Sequence, residues 1–467
     1  MRLGGWSFSP SSGHFIATAP SPERRVKLSS LSIAPDMTQA SDMPHTRSFA
    51  RIGHFVATRR KLVFDYLSAI SGAGGRLVFS LAYFVALANT LSIAEFGMFA
   101  TASAAGIMLS RILAFGFISA LYRTATIRPN LIGTFTAGFL LLSVLSLPFL
   151  ASASYIVYLI FFAGTVPLSS FAAVVFAEAL LWRPVEVALI VNNGLGKFGR
   201  AAVLAILATA LRAVGAILFM LAARHTIGVW SLFYIGSNAA SLIIAFVFFY
   251  PRQRLRLRRE LYFRRLADSI YVAGSEVLFY LQMEFDKLLV LSIGGPHLAG
   301  IYAIIMRLVD LTAIPIRTFS MMLVQRMMRA PELLSRLAVK SGIEGGVFLV
   351  STLALMALGI VLHFFPNALG KNVAEAAPLV ALAVCVPGLR NLVEYQAELL
   401  FARGQTAVRA INLGLLAGLK AVLLTYVLTM IPDTANLVLS LNIAFLLLYL
   451  ASMLLTYSAM RRPAKAV

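Results

Sequence analysis

Six cations stand inside long apolar runs of this sequence: Arg76, Arg111, Arg212, Arg307, Arg317 and Lys420. All but Arg307 lack an acidic residue three or four positions away on their own helix. A charged side chain at mid-bilayer costs roughly 2.5–3.5 kcal/mol on insertion scales, so such residues are expected to face a wet cavity or a partner rather than lipid. Gathered around one cavity they would build positive potential and attract an anion. A guanidinium suits phosphate, because its planar fork binds two oxygens at once and stays charged when partly dehydrated. The role expected of all six is therefore to bind a phosphate-bearing substrate.

Carboxylates occupy the same runs. Glu178 has no basic residue at i+3 or i+4 and is the first candidate for carrying a proton or a sodium ion, with Glu276 and Asp310 next. Other charges are spaced to neutralise each other: Arg183 with Glu186, Glu284 with Lys287, and Arg307 with Asp310 are i, i+3 pairs on one helical face. Pairing of that kind lowers the insertion cost without any further function.

The elements that must position these residues are membrane helices. Hydrophobic residues make up 60% of the chain and charged ones 13%, well below the roughly 25% of a soluble domain, and the mean hydropathy is +0.85. Twelve spans are predicted, at about 64–90, 98–121, 131–152, 170–193, 201–222, 229–250, 267–292, 298–325, 342–365, 376–400, 408–430 and 434–458. The apolar stretch 151–171, interrupted by Pro148 just before it and by Gly164 and Pro167 within it, is read as a broken connection rather than an extra helix. Residues 1–60, rich in Ser, Pro and Arg and without a signal-peptide apolar run, are expected to form a disordered cytoplasmic tail.

Positive charge in the loops falls on one side. Alternate loops and the C-terminal tail carry twenty Lys and Arg, seven of them between Arg252 and Arg265, whereas the opposite loops hold only Arg224 and Lys371. By the positive-inside rule both termini of a multi-pass membrane protein are expected on the cytoplasmic side. The net charge of +21 has the same origin, so no nucleic-acid partner is expected, and the Arg252–Arg265 run is placed on anionic lipid headgroups. No metal and no cofactor are called for. Cys385 is the only cysteine, His225, His297 and His363 show no ligand spacing, and there is no Walker A sequence. Gly194-x-Gly196-x-x-Gly199 matches a dinucleotide fingerprint by letter but follows a membrane helix instead of a strand, and reads as a tight turn. The chain is not expected to be an enzyme.

Two passages recur. Ile93-Ala-Glu-Phe-Gly97-Met-Phe-Ala100 is echoed 203 residues later by Pro296-His-Leu-Ala-Gly300-Ile-Tyr-Ala303, and Leu211-Arg212-Ala-Val214 is echoed 208 residues later by Leu419-Lys420-Ala-Val422, each shortly after a glycine-bearing turn, Gly196-Lys-Phe-Gly-Arg200 and Gly404-Gln-Thr406. Two six-span halves of the same orientation account for both offsets. The expected domains are a six-helix lobe over 61–250, a basic linker over 251–266, a second six-helix lobe over 267–460 and a basic tail over 461–467.

The stretch from Glu284 through Asp286, Lys287, the Gly294-Gly295-Pro296 turn and Gly300-Ile-Tyr-Ala303 to Val309 resembles the seventh and eighth spans of the polysaccharide (Wzx-type, O-antigen or exopolysaccharide) flippases of the multidrug/oligosaccharidyl-lipid/polysaccharide (MOP) exporter superfamily. Asn193-Gly-Leu-Gly-Lys-Phe-Gly-Arg200 is similar to that family's turn between spans four and five, and Leu87 to Ala100 to its first hairpin. The resemblance implies an all-α polytopic, MATE-like fold in a bacterial inner membrane and the flipping of polyprenyl-pyrophosphate-linked oligosaccharide from the cytoplasmic to the periplasmic leaflet, with membrane lipids and a polysaccharide polymerase or glycosyltransferase complex as partners. Alternatives are a cation-coupled drug antiporter, a peptidoglycan lipid-precursor flippase and, from another class, a membrane glycan polymerase or ligase.

Overall fold

The computed structural model describes residues 74–329 and 337–461, with side chains in all of these except 314, 315 and 317–338. The N-terminal tail, the first ten residues of the first expected span, the Arg317 side chain and the C-terminal tail after Arg461 lie outside the described residues. Helices are the only regular secondary structure among the described residues, and they stand at all twelve expected spans. They are α1 (74–90); α2 (Ile93–Leu109) with α3 (Ile118–Ile127); α4 (Ile132–Phe161); α5 (Leu168–Phe176) with α6 (Arg183–Gly194); α7 (Phe198–Met220); α8 (Ile227–Ile244); and, after the short α9 (Arg259–Arg264), α10 (Leu266–Arg329). The second half continues with α11 (Leu337–Phe364), α12 (Lys371–Val380) with α13 (Val386–Ala402), α14 (Thr406–Met430) and α15 (Thr434–Met460).

By length and apolar content alone, eight described helices could cross a membrane, or nine with α12 and α13, which meet at 66°, taken as one span. Of the three remaining spans, α1 is described over 74–90 only, and the other two escape such a count for physical reasons. At 1.5 Å per residue, the 64 residues of α10 are about three times too long for one crossing. Gly295 supplies the break at φ 79°, where glycine pays no Cβ penalty, and so divides α10 into two spans. The α5–α6 span carries Glu178, Arg183 and Glu186, which lower its apolar content.

Breaks within spans are local and specific. Between α2 and α3 the chain leaves the helix at Leu113, and Ala114, Phe115 and Gly116 all take positive φ. The Ala114 amide, freed from the helix, donates to Ser146 Oγ at 2.9 Å. Between α5 and α6 the residues Ala177–Trp182 form a π-helical turn, a feature frequent at functional sites. One expectation is corrected: the third span does not end at 152, because α4 runs through Pro148 to Phe161, and only Phe162–Pro167 form a turn before α5. No extra helix inverts the spans that follow.

Both sequence echoes have structural counterparts. The helix pairs α6–α7 and α13–α14 are joined by the same turn: Gly196 and Gly404 have φ 71° and 72°, and the next residues, Lys197 and Gln405, donate back to Asn192 and Leu400 carbonyls at 2.8 and 3.0 Å. Gly97 and Gly300 meet where α2 crosses α10. A Cβ on Gly97 would lie 2.3 Å from Gly300 N, and one on Gly300 would lie 2.1 Å from the Ile93 carbonyl oxygen. Beside this crossing, Asn89 Nδ2 donates to the Leu369 carbonyl at 2.8 Å, and Asn372 Nδ2 returns the contact to the Leu91 carbonyl at 2.7 Å.

The obstacle at the glycine crossing is backbone, which cannot swing aside as a flexible side chain does. Gly97→Val is therefore expected to cost about 3 kcal/mol or more, seen as a lower thermal unfolding midpoint in detergent. Gly236→Ala, whose Cβ would meet nothing within 4 Å, should leave that midpoint unchanged.

Candidate functional site

A cavity of about 190 Å³ lies between helices of the two sequence halves. Its charged lining is Glu178 and Arg212 from the first half and Glu284, Lys287, Arg307 and Asp310 from the second. Tyr83, Phe84, Phe96, Phe99, Ser103 and Tyr234 also stand in the first-half wall.

Glu178 stands on the π-helical turn and is only 1% exposed. Gly106 makes room for it, since a Cβ there would touch Glu178 Cβ at 3.0 Å. The carboxylate accepts hydrogen bonds from Ser103 Oγ at 2.7 Å and from the Tyr234 hydroxyl, and Arg212 Nη2 lies 3.5 Å from its other oxygen. Arg212 reaches the cavity from the middle of α7. Its Nε and Nη2 both donate to Asn238 Oδ1, at 2.9 and 2.7 Å, and its guanidinium lies 3.7 Å from the centre of the Trp182 ring. Asn238 is itself held, donating to the Tyr234 carbonyl one turn back at 2.7 Å. The cation is thus fixed in place before any ligand arrives, with a side chain 16% exposed.

Across the cavity, Lys287 Nζ is 2.5 Å from Glu284 Oε2, Arg307 Nη2 donates to Ser80 Oγ at 2.6 Å, and Asp310 Oδ1 is 3.5 Å from Arg390 Nη1. Three cations and three carboxylates therefore line one small space.

The structure brings together only part of the set expected from sequence. Arg212 and Arg307 line the cavity, as do Glu178 and Asp310. Lys287, expected only to neutralise Glu284, lines it too. Lys420 belongs to a separate buried cluster, where it lies 3.1 Å from Asp286 Oδ1 and donates to the Gln282 carbonyl at 2.8 Å, while Tyr302 donates to Asp286 at 2.5 Å. Arg111 belongs to a third. It meets Glu186 at 3.0 Å and stacks 4.0 Å from the Tyr280 ring, and Arg183 bridges Glu186 at 2.7 Å and Glu276 at 2.8 Å, tying the α6 segment to α10. Arg76 is exposed near the described start of α1. Of the expected i, i+3 pairs, Arg183–Glu186 and Glu284–Lys287 are present, whereas Asp310 turns to Arg390 on α13 and Arg307 to Ser80 on α1.

One assumption is overturned. Arg111, Arg212 and Lys420 lack acids on their own helices, yet each is met by one from another helix. Helical spacing reveals neighbours on one helix and is blind to those across a packing interface. It likewise missed Asn238 and Trp182, which hold Arg212, although Tyr234–Asn238 and Glu178–Trp182 are polar or aromatic pairs at i, i+4 that could have marked an inward face. Glu344 was also missed; it gathers Gln396, Tyr449 and Tyr457 at 2.8–3.1 Å and joins α11 to α13 and α15.

Compared by sequence, the chain matches no protein-family model and no curated protein. Compared by structure it has clear likenesses. A MOP superfamily transporter from Pyrococcus furiosus superposes with a TM-score of 0.58 at 13% identity, over 85% of this chain and 95% of that one. A mutant form of the Vibrio cholerae MATE transporter VcmN gives 0.52 at 14% identity over 85% and 98%. A multidrug resistance MATE family transporter of the MOP superfamily, in an outward-facing conformation, gives 0.52 at 12% over 85% and 95%. The protein is a polytopic membrane protein with the MATE-like fold of that superfamily.

Removing one member of a buried ion pair strands the other, at a cost of about 3–5 kcal/mol. Arg212→Ala is expected to lower the thermal unfolding midpoint in detergent, and adding Glu178→Gln should recover at least half of the loss. A single variant as stable as the parent would rule out a buried pair at this position.

Proposed function

We propose that the protein is a membrane transporter that flips a polyprenyl-pyrophosphate-linked oligosaccharide from the cytoplasmic to the periplasmic leaflet of a bacterial inner membrane. It would do so by alternating access of two six-helix lobes, with both termini cytoplasmic. The observation that carries this reading is the pre-held guanidinium of Arg212 at a cavity whose opposite wall presents Lys287 and Arg307. Their carboxylate partners do not disqualify them. A phosphate oxygen that takes over donors from Glu178 or Glu284 exchanges one anion for another, so the cation never has to be stripped of an ionic partner. The same competition supplies a way to let the cargo go. Carboxylates displaced in this way are the natural carriers of a coupled proton or sodium ion. Tyr83, Phe84, Phe96 and Phe99 give the cavity an aromatic side on which a sugar ring can pack.

A cation-coupled drug antiporter is the second reading, favoured by the presence of Glu178, Glu284 and Asp310 in the same lining. The Pyrococcus furiosus structure is reported as a MOP superfamily transporter in which reverse polarity of the binding pocket suggests a different function, so pocket polarity is the property to test.

In proteoliposomes, a fluorescent polyprenyl-pyrophosphate sugar is expected to change leaflet at a rate that falls about tenfold or more in Arg212→Ala and in Arg307→Ala, the loss of one charge-assisted contact. A cationic dye should not be moved. Dye transport that needs Glu178, with no flipping of the sugar lipid, would establish the antiporter instead.

A further inference from the structure

The segment joining the two halves is held in place far more firmly than a connector needs. Gln253 clamps it to the start of α4 with both ends of its amide, accepting from Gly133 N at 2.9 Å and donating to the Pro129 carbonyl at 3.0 Å. Gly133 has to be glycine for this approach, because a Cβ there would lie 2.3 Å from the Arg254 carbonyl oxygen. The buried Tyr262 ring fills the space left by Gly138, where a Cβ would lie 2.7 Å from it. Its hydroxyl is shared among the Thr134 carbonyl at 2.7 Å, the Arg256 carbonyl at 3.0 Å and the Arg258 amide at 3.0 Å. Between these two anchors, Arg254, Arg256 and Arg258 are exposed. Alternating with them, and equally open, are Leu255 at 58% and Leu257 at 54%, with Phe263 at 53% just beyond.

Large apolar side chains interleaved with arginines do not suit an aqueous loop, where each exposed leucine gains nothing from water. They suit the boundary between headgroups and acyl chains, which accepts both kinds of side chain at one depth. A segment that runs from the end of the sixth span to the start of the seventh is expected at that boundary.

We propose that residues 251–265 form a preorganised binding surface for anionic phospholipid, with Arg254, Arg256 and Arg258 on the phosphates and Leu255, Leu257 and Phe263 in the acyl boundary. Fixing the backbone beforehand removes the ordering cost that a floppy basic loop would bear on binding. This inference stands apart from the identity of the transported substrate.

The test uses the full protein in nanodiscs containing a photoactivatable phosphatidylglycerol or, in parallel, the matching phosphatidylcholine probe, with crosslinked peptides mapped by mass spectrometry. Crosslinks to the 251–265 peptide should favour phosphatidylglycerol by about tenfold or more, as three arginines near a charged surface imply. The triple variant Arg254→Gln, Arg256→Gln, Arg258→Gln should abolish that preference, and Leu255→Gln with Leu257→Gln should reduce crosslinking of both probes. All five substituted side chains are exposed, so the variants are expected to purify as the parent does. Equal labelling by the two probes, or a preference that survives the triple variant, would overturn the proposal. Loss of an acidic protein partner with lipid labelling unchanged would overturn it as well.

Discussion

A charge within a bilayer has to be met by an opposite charge or by water, and the described core of this protein is arranged around that requirement. Ionic clusters gather where helices of different spans meet: the buried Glu178 with Arg212 and Asp286 with Lys420, and the buried Arg111 and Arg183 with the partly exposed Glu186 and Glu276. Each joins segments that are remote in sequence. Because an unpartnered member would be costly, the pairs disfavour arrangements in which these helices are apart. The last of them ties α6 to α10, across the two halves, and the Gly97–Gly300 crossing brings the same halves into backbone contact elsewhere.

The local breaks follow from the same need to bring polar groups together. The π-helical turn at Ala177–Trp182 presents Glu178 and Trp182 to Arg212, while the α6 turn that follows presents Arg183 and Glu186 to Arg111 and Glu276. The left-handed residues Ala114 and Phe115 interrupt the second span just beyond Arg111. Non-glycine residues hold that conformation only where the surroundings enforce it, and here the Ser146 hydroxyl accepts the freed amide. Sites at which a membrane helix is broken and its polar groups are satisfied by neighbours recur in transporters built from repeats.

Much of the architecture was legible in the sequence. Apolar run length located the spans, Gly295 lay in the turn expected to divide α10, and the repeated passages picked out the glycine turns at 196 and 404 and the glycines at 97 and 300, though not that these two meet. These are signals carried by neighbouring residues, such as length, helical period and a glycine where φ must be positive. The reach of α4 through Pro148 was not legible, because proline is tolerated in a membrane helix when surrounding groups re-satisfy the backbone, and sequence does not list those groups. The pairing of Arg212 with Glu178, or of Lys420 with Asp286, was hidden for a related reason. Each partner lies on another helix, and the one-dimensional spacing that found Glu284 with Lys287 holds no information across an interface.

The functional account turns on a cavity in which fixed cations are shared between resident carboxylates and an arriving phosphate. A structure of the protein in a lipid nanodisc with a short-chain polyprenyl-pyrophosphate sugar bound addresses that claim most directly. The account predicts phosphate oxygens within hydrogen-bond distance of Arg212 and of Lys287 or Arg307, with the Glu178 or Glu284 carboxylate displaced from its cation. Both ion pairs intact, with the pyrophosphate bound away from this cavity, would contradict it.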